Sequence, residues 1–294
     1  MARILNIGSL NLDYVYAVPR FVTAGETLLS SRRNVFPGGK GLNQTVAAAR
    51  AGAKVYHAGA VGADGDMLLD LLRDAGADVS AVSRVDAPTG HAIIQVTPQG
   101  ENAIVILGGA NRSVTPETVE KALEKVDAGD ILLLQNEING LDAIIRRAAK
   151  KGLRILFNPA PMEESVKSLP LELLDTLVVN EVEGRALAGD MDALRTAYPR
   201  QKILLTQGSR GATLWTGSER LFQPAFPVKA VDTTAAGDCF LGYYAAAIAE
   251  NLPYAQALRL AAAASALAVQ RQGAAPSIPI RRDVEEMITR TRLS

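Results

Sequence analysis

Five short stretches of this chain are apolar almost throughout and then give way abruptly to polar residues. They are Ile4-Leu5-Asn6-Ile7-Gly8 ahead of Asn11 and Asp13, Ile131-Leu132-Leu133-Leu134 ahead of Gln135-Asn136-Glu137, Ile155-Leu156-Phe157 ahead of Asn158, Leu177-Val178-Val179 ahead of Asn180, and Ile203-Leu204-Leu205 ahead of Thr206. A strand buried on one face alternates apolar and polar side chains. An unbroken apolar run implies burial on both faces, as in a parallel sheet covered by helices on either side. Ligands of such sheets bind beyond the carboxyl ends of the strands, where these polar residues collect, so one shared site is expected. Helical stretches separate the runs. Thr115-Pro116-Glu117 combines an N-cap, a proline at the first helical position and an acid in the first turn, opening a helix to about Val126. Asp66 to Asp74, closed by Gly76, is another, and the C-terminal third reads as helices near 238–249, 253–271 and 281–292, broken by Pro253 and the Gly273–Pro279 loop. The expected class is α/β, a three-layer sandwich around a mostly parallel sheet.

Residues 14–36 and 89–107 depart from this alternation. Both contain strand-like runs and no helix: Tyr14-Val15-Tyr16, Glu26-Thr27-Leu28-Leu29 and Asn34-Val35-Phe36 in the first, His91 to Val96 and Asn102 to Ile106 in the second. Pro98-Gln99-Gly100 joins the second pair as a hairpin. Together the two segments predict a small discontinuous β lid, either a flap over the site or a surface decoration, with 1–13, 37–88 and 108–294 forming the core.

Composition removes several functional classes. The 294 residues are 48% hydrophobic and 21% charged, which suits a packed globular chain. Lys and Arg number 31 against 31 Asp and Glu, so no net field draws in a nucleic acid. The single cysteine, Cys239, excludes an intramolecular disulfide, and with only His57 and His91 beside it a Cys/His zinc site cannot be built. The N-terminus turns polar too early for a secretory signal, and the longest apolar stretch, Leu260 to Val269, is too short to span a bilayer. A cytoplasmic protein without membrane partners is the expectation.

Two glycine-containing motifs carry the chemistry. Pro37-Gly38-Gly39-Lys40-Gly41-Leu42-Asn43-Gln44 is a tight turn running into an Ala-rich helix, with backbone open to close approach and a cation at Lys40. It is not a Walker A loop, because Asn34 and Gly41 stand where that motif needs Gly and Ser/Thr, and Gly8-Ser9-Leu10 does not make a dinucleotide fingerprint. The second motif, Asp232-Thr233-Thr234-Ala235-Ala236-Gly237-Asp238, opens a helix with small residues that leave amide N–H groups free at the positive end of its dipole. Asp238 is either a helix cap or a general base beside an anion hole.

In order and spacing the two motifs resemble the ribokinase family of carbohydrate kinases, the phosphofructokinase-B type, and the likeness extends along the whole chain. Asn180-Glu181-Val182-Glu183 is similar to the family's Asn-x-x-Glu element, and Gly8 to Asp13, Asn158 to Pro161, Gly208 to Gly211 and Ala274 to Ser277 have ribokinase-like counterparts. The resemblance implies a ribokinase-like fold and an ATP-dependent kinase that phosphorylates the terminal hydroxymethyl group of a pentose, D-ribose first among them. Asn11, Asp13, Gly39, Lys40, Asn43 and Glu137 would hold sugar hydroxyls. Asp238 would touch the sugar and act as base, with the N–H groups of Ala235, Ala236, Gly237 and Asp238 around the phosphoryl in flight. ATP would lie along Asn180, Glu183, Thr206, Gly208, Gly211 and the turn ending at Gly237, with adenine near 265–272. Mg²⁺ would be placed with help from the Asn-x-x-Glu element. A monovalent cation, K⁺, would sit among Asp232, the Thr234 carbonyl, carbonyls from about Val269 to Gly273, and Ser277. The family also implies a homodimer joined through the lids. The sequence departs from the family's usual residues at Phe36-Pro37, Leu42 and Tyr243, and 184–201 is short, which leaves the sugar open within the pentose-like class. Two rivals stand beside this reading: a nucleoside kinase stacking a base on Tyr14, Tyr16 or Phe36, and an inactive sugar-binding regulatory protein on the same fold.

Overall fold

All five apolar runs are strands, and their side chains divide by parity between two cores. The structure is a computed structural model and describes residues 1–217 and 219–293. In chain order its elements are β1 (Ile4–Ile7), β2 (Asn11–Ala17), β3 (Arg32–Gly38), α1 (Lys40–Arg50), β4 (Val55–Val61), α2 (Asp66–Asp74), β5 (Asp78–Arg84), β6 (Gly90–Val96), β7 (Asn102–Leu107), α3 (Pro116–Leu123) and β8 (Ile131–Gln135). There follow α4 (Leu141–Lys151), β9 (Arg154–Asn158), β10 (Thr176–Asn180), α5 (Glu181–Ala188), α6 (Met191–Ala197), β11 (Lys202–Thr206), β12 (Ala212–Thr216), β13 (Glu219–Gln223), α7 (Ala236–Ala249), α8 (Tyr254–Ala268) and α9 (Arg281–Leu293).

The large sheet runs β13-β12-β11-β10-β9-β8-β1-β4-β5. It is parallel from β11 to β5 and antiparallel at β12 and β13. Ile4, Ile131, Leu133, Leu156, Val178 and Leu204 pack into one core with α1, α7 and α8. Leu5, Leu132, Leu134, Phe157, Val179 and Leu205 pack into the other with α3, α4 and α5. This two-sided burial is what makes the runs apolar at successive positions. The sheet's outer strands read less clearly because β5 and β13 are half exposed and carry mixed sequences.

Helix boundaries follow the caps. Thr115 accepts the Thr118 N–H as expected, but the helix stops at Leu123, short of Val126. The α7 helix opens at Ala236, two residues early, and α8 ends at Ala268.

The two exceptional segments form one four-stranded sheet, β3-β2-β6-β7, in which β2 pairs antiparallel with β3 and parallel with β6, and β6 and β7 form the hairpin. Its strands reach to Asn11 and Gly38, so the lid is continuous with the polar end of β1 and the start of α1. Glu26 to Leu29 is not a strand. It has no neighbouring strand to pair with, and the Glu26 carboxylate instead accepts the Thr23 N–H and hydroxyl at 3.2 and 3.0 Å and pairs with Arg20.

Candidate active site

The glycine-rich turn exists because α1 begins almost on top of the end of β1. A Cβ on Gly41 would stand 2.4 Å from the Ser9 nitrogen, and Gly39, at φ 92°, occupies backbone space that favours glycine. The first amides of α1 are spent within the protein. Lys40 N–H donates to Glu137 Oε2 at 3.0 Å, Gly41 N–H to Ser9 Oγ at 3.1 Å and Leu42 N–H to the Ser9 carbonyl at 2.9 Å. This N-terminus is therefore a clamp on Ser9 and Glu137 and not an open anion cradle.

At the start of α7 the reverse holds. Ala235 sits at φ 59°, a left-handed conformation costly for a residue with a Cβ, and the turn it makes leaves the Ala235, Gly237 and Asp238 N–H groups without a protein acceptor among the described residues. The Ala236 N–H is committed to the Thr233 carbonyl at 3.2 Å, so the anion hole expected from Ala235 to Asp238 loses one of its donors in this conformation.

Asp238 is not the side-chain cap of α7; it points into the protein, buried. Its Oδ1 accepts from Gln44 Nε2 at 2.9 Å and its Oδ2 from Asn43 Nδ2 at 3.1 Å. Burial pushes its carboxyl upward, opposed by Lys40 and by the two amide donors. Burial acts to lower the Lys40 ammonium, but Asp238, Glu137 and Glu183 surround it and hold it above its ordinary value. Burial likewise raises Glu137, against Lys40 and the Ser9 hydroxyl that donates to Oε2.

On the lid side, Asp13 lies over Gly38 and stands opposite Phe36 and Ala92 in the sheet. Burial, reinforced by Glu137, pushes its carboxyl up to about 7. Asn11 is fixed by Asn111, whose Nδ2 donates to Asn11 Oδ1 at 2.7 Å while its Oδ1 accepts the Leu10 N–H. Asn111 does not stand out in sequence, being one polar residue in an ordinary segment, while Gln44 closes the first glycine motif but shows its role only when the fold sets it against Asp238.

A cleft of about 180 Å³ opens on the other side of Asp238, lined by Lys40, Asn158, Asn180, Glu183, Thr206 and the 235–238 turn. Asn180 and Glu183 form a capping box on α5, the Asn180 side chain accepting the Glu183 N–H at 2.8 Å and Glu183 Oε2 the Asn180 N–H at 2.9 Å. Gly208 and Gly211 shape the loop after β11 and do not line the cleft; a Cβ on Gly211 would stand 2.1 Å from the Gln223 carbonyl.

Asp232 gathers part of the expected cation set. Its Oδ1 accepts the Thr234 N–H and hydroxyl, and its Oδ2 the Gly273 N–H at 2.9 Å. Burial acts to raise it, but these donors hold it below the usual carboxylate range. The Val269 carbonyl accepts both the Val231 and Asp232 N–H groups, and the Ser277 hydroxyl donates to Ala274.

The unusual residues Leu42 and Tyr243 are core, not site: both are buried in the α1–α7–α8 cluster, and the Tyr243 hydroxyl donates to the Pro279 carbonyl at 2.8 Å. Tyr14 and Tyr16 alternate with Asp13 along β2 and therefore occupy the opposite face of the lid. There Tyr14 meets His91 edge to face at 5.8 Å and Arg33 lies over its ring. Among the described residues no group of three or more His, Cys, Asp and Glu is placed to hold a metal by itself, and no helix is long and apolar enough to cross a membrane.

Comparison with known proteins agrees with this layout. Residues 1–281 match the pfkB family of carbohydrate kinases. Ribokinase of Bacillus subtilis is 36% identical over 98% of this chain and all of its own length, and ribokinase of Haemophilus influenzae is 34% identical over 96% and 97%. Among solved structures, ribokinase of Thermotoga maritima superposes with a TM-score of 0.88 at 34% identity, covering 98% of this chain and 100% of that one. Arabidopsis thaliana ribokinase, complexed with ribose and ATP, superposes with a TM-score of 0.87 at 30% identity, covering 98% of both. With its three-layer sheet, its β lid and its paired motifs, the chain belongs to the pfkB family of carbohydrate kinases.

Proposed function

We infer that this chain is an ATP-dependent kinase that transfers the γ-phosphoryl group to the terminal hydroxymethyl oxygen of D-ribose. The observation that carries the reading is the position of Asp238: a buried carboxylate gripped by two amides, at the first turn of a helix with unspent N–H groups, between the polar side chains of Asn43, Glu137 and Asp13 on the lid side and a polar cleft. The near full-length likeness to curated ribokinases, and to a ribokinase solved with ribose and ATP, supports ribose as the sugar.

In this account Asn11, Asp13, Gly39, Lys40, Asn43 and Glu137 bind the ring hydroxyls. The Asn43 Oδ1 atom is buried with no partner and is ready to accept one of them. Leaving such groups unmatched penalises sugars that lack the hydroxyl. Asp238 accepts the proton of the terminal hydroxyl as its oxygen attacks phosphorus, and the Gly237 and Asp238 N–H groups receive the charge of the transferring phosphoryl, joined by Lys40. ATP lies along Asn180, Glu183, Thr206 and the 234–237 turn, with Gly208 and Gly211 setting the loop beside it.

Both accessory cations fit the donors present. Glu183 Oε2 is occupied by Asn180 and Asn158, while Oε1 has no partner among the described residues. One free carboxylate oxygen suits Mg²⁺, which takes its remaining ligands from water and phosphate and supplies charge neutralisation there. K⁺ would be held by Asp232, the Thr234 and Gly273 carbonyls and Ser277, with Val269 joining only if its carbonyl releases an amide. Oxygen donors alone suit such a hard cation.

A homodimer joined through the lids is part of the proposal. The edge strand β7 exposes Ile104, Val105, Ile106 and Leu107, between 49% and 70% accessible, beside unpaired backbone that a second copy can cover. A cytoplasmic location accords with this substrate. The nucleoside alternative loses Tyr14 and Tyr16, which lie on the far face of the lid, and keeps Phe36, opposite Asp13; the inactive alternative is disfavoured because Asp238, Lys40 and the free N–H groups of the 235–238 turn line one cleft. Coupled ADP release measured with ribose, deoxyribose, fructose and adenosine tests the reading. Ribose is expected to turn over with the highest kcat/KM; absence of turnover on every one of them by folded enzyme with Mg²⁺ and K⁺ would refute it.

A further inference from the structure

Behind Asp238, on the side away from the cleft, three fully buried side-chain amides form a chain whose hydrogen bonds run outward from Gln135 to an acceptor at either end. Asn6 Nδ2 donates to the Gly41 carbonyl at 2.9 Å. Gln135 Nε2 donates to Asn6 Oδ1 at 3.1 Å and to Gln44 Oε1 at 2.7 Å. Gln44 Nε2 donates to Asp238 Oδ1 at 2.9 Å. We propose that Gln44 is a positioning residue for Asp238, held donor-first by this chain of amides, which is anchored at the Gly41 carbonyl and runs through Asn6 to the doubly donating Gln135.

A carboxamide can be turned either way round at little cost in shape, so its orientation is decided by its neighbours. Here the far end decides it. A peptide carbonyl only accepts, so Asn6 must present its NH₂ to Gly41 and its oxygen to Gln135. Gln135 must then present its NH₂, and both hydrogens are used, one on Asn6 and one on Gln44. Gln44 is left with its oxygen facing Gln135 and its NH₂ facing Asp238. Reversing any member sets acceptor against acceptor in a dry interior, where the repulsion is strong. An ionised Asp238 also only accepts, so the two ends of the chain demand the same order.

Two features separate this arrangement from incidental core polarity. Gln135 Oε1 is buried with no partner, so the residue completes its neighbours' bonds while leaving its own acceptor unmet. Apolar side chains would fill the space without that penalty. The backbone is also built around the chain. A Cβ on Gly8 would stand 2.3 Å from Gln135 Oε1, and one on Gly242, one turn beyond Asp238 on α7, would stand 2.6 Å from the Gln44 carbonyl. Asn43, by contrast, faces the sugar side and donates to the other carboxylate oxygen. Gln44 touches neither proposed substrate and acts through Asp238 alone.

The inference rests on the kinase reading, with Asp238 as its base. Removing the Gln44 donor frees the carboxylate to rotate and withdraws a bond to its charged form, so the base misaligns and its proton is held more tightly. The other charged groups around Asp238 are Lys40 at the start of α1, Glu137 after β8 and Glu183 on α5, with the buried Cys239 thiol next to it on α7; none is altered by the change.

The test uses the intact enzyme and two substitutions, Gln44→Met, which removes the donor, and Gln135→Glu, whose carboxylate cannot donate to Gln44 and so turns it oxygen-first toward Asp238. For either variant we expect kcat to fall about tenfold or more with the ribose KM within about threefold, and the acid limb of the kcat/KM profile to move to higher pH. Rates are normalised to folded protein by ribose-binding stoichiometry, so a loss of stability alone moves neither ratio nor limb. If Gln44→Met does not fold, Gln135→Glu decides. A profile superimposable on that of the parent enzyme overturns the proposal, and a parent enzyme inactive on ribose instead overturns the kinase reading beneath it.

Discussion

Single titratable groups carry the sharpest consequences. Asp13 is pushed up to about 7 in the sugar-free protein by burial and by Glu137. Sugar hydroxyls donating to it favour its ionised form, so ribose binding releases a proton and affinity rises from about pH 6 to pH 8, levelling above the free-state pKa. Calorimetry in buffers of different ionisation enthalpy is expected to show that release, and buffer-independent heats would count against Asp13 as a hydroxyl acceptor. His57 behaves in the opposite way. Fully buried against Thr45 Oγ1, its imidazole is held neutral down to about 4. The unfolded chain binds this proton below about 6.5 and the folded one does not, so stability falls with pH between those values. That amounts to about 2 kcal/mol at pH 5 relative to pH 7, a loss that His57→Gln is expected to abolish in urea titrations. At this scale the sequence exposes the residues that sit in motifs, such as Lys40, Asn43 and Asp238. Gln44 and Gln135 lie in segments the sequence marks and Asn111 does not, but the role of all three stays hidden, because a lone amide has no pattern until the fold supplies its partner.

Among the elements, the junction of α1 and α7 is where the two motifs become one site. Gly242 allows it: a Cβ there would meet Ala47 Cβ at 2.4 Å and the Gln44 carbonyl at 2.6 Å. Gly242→Ala is expected to cost about 1–3 kcal/mol by overpacking and to reduce kcat, by lifting Asp238 away from Asn43 and Gln44. Equal stability and turnover in the variant would show that the helices can separate without harm. Five of the strands buried on both sides, β1, β8, β9, β10 and β11, read as unbroken apolar runs, while β4, buried throughout, does not because His57 and Gly59 interrupt it, and α2 has the limits its Gly76 stop implies. The edge strands β5 and β13 escape notice because one-sided burial leaves a weaker pattern, and the Glu26–Leu29 loop misleads because it has strand-like residues without a strand to pair with.

At the level of the whole molecule, the lid sheet and the core sheet meet near Asn11 and Gly38, so the proposed sugar site is bounded by both. The apolar edge of β7 is then the surface most in need of a cover, and Val105→Lys combined with Ile106→Lys is expected to turn a dimer into a monomer in sedimentation equilibrium. A parent enzyme that sediments as a monomer would remove the proposed interface. The zero net charge of the chain matters here too: with no overall field to help, the proposed reading has ATP held by local groups, Lys40, the α7 amides and the cations proposed beside Glu183 and Asp232. All of these converge on the task given to Asp238. The most direct test is Asp238→Asn, assayed for ribose binding by calorimetry and for phosphoryl transfer in a single turnover. The account predicts ribose affinity within about tenfold of the parent and transfer slowed by about 10²–10⁴-fold. Transfer at the parent rate would contradict it.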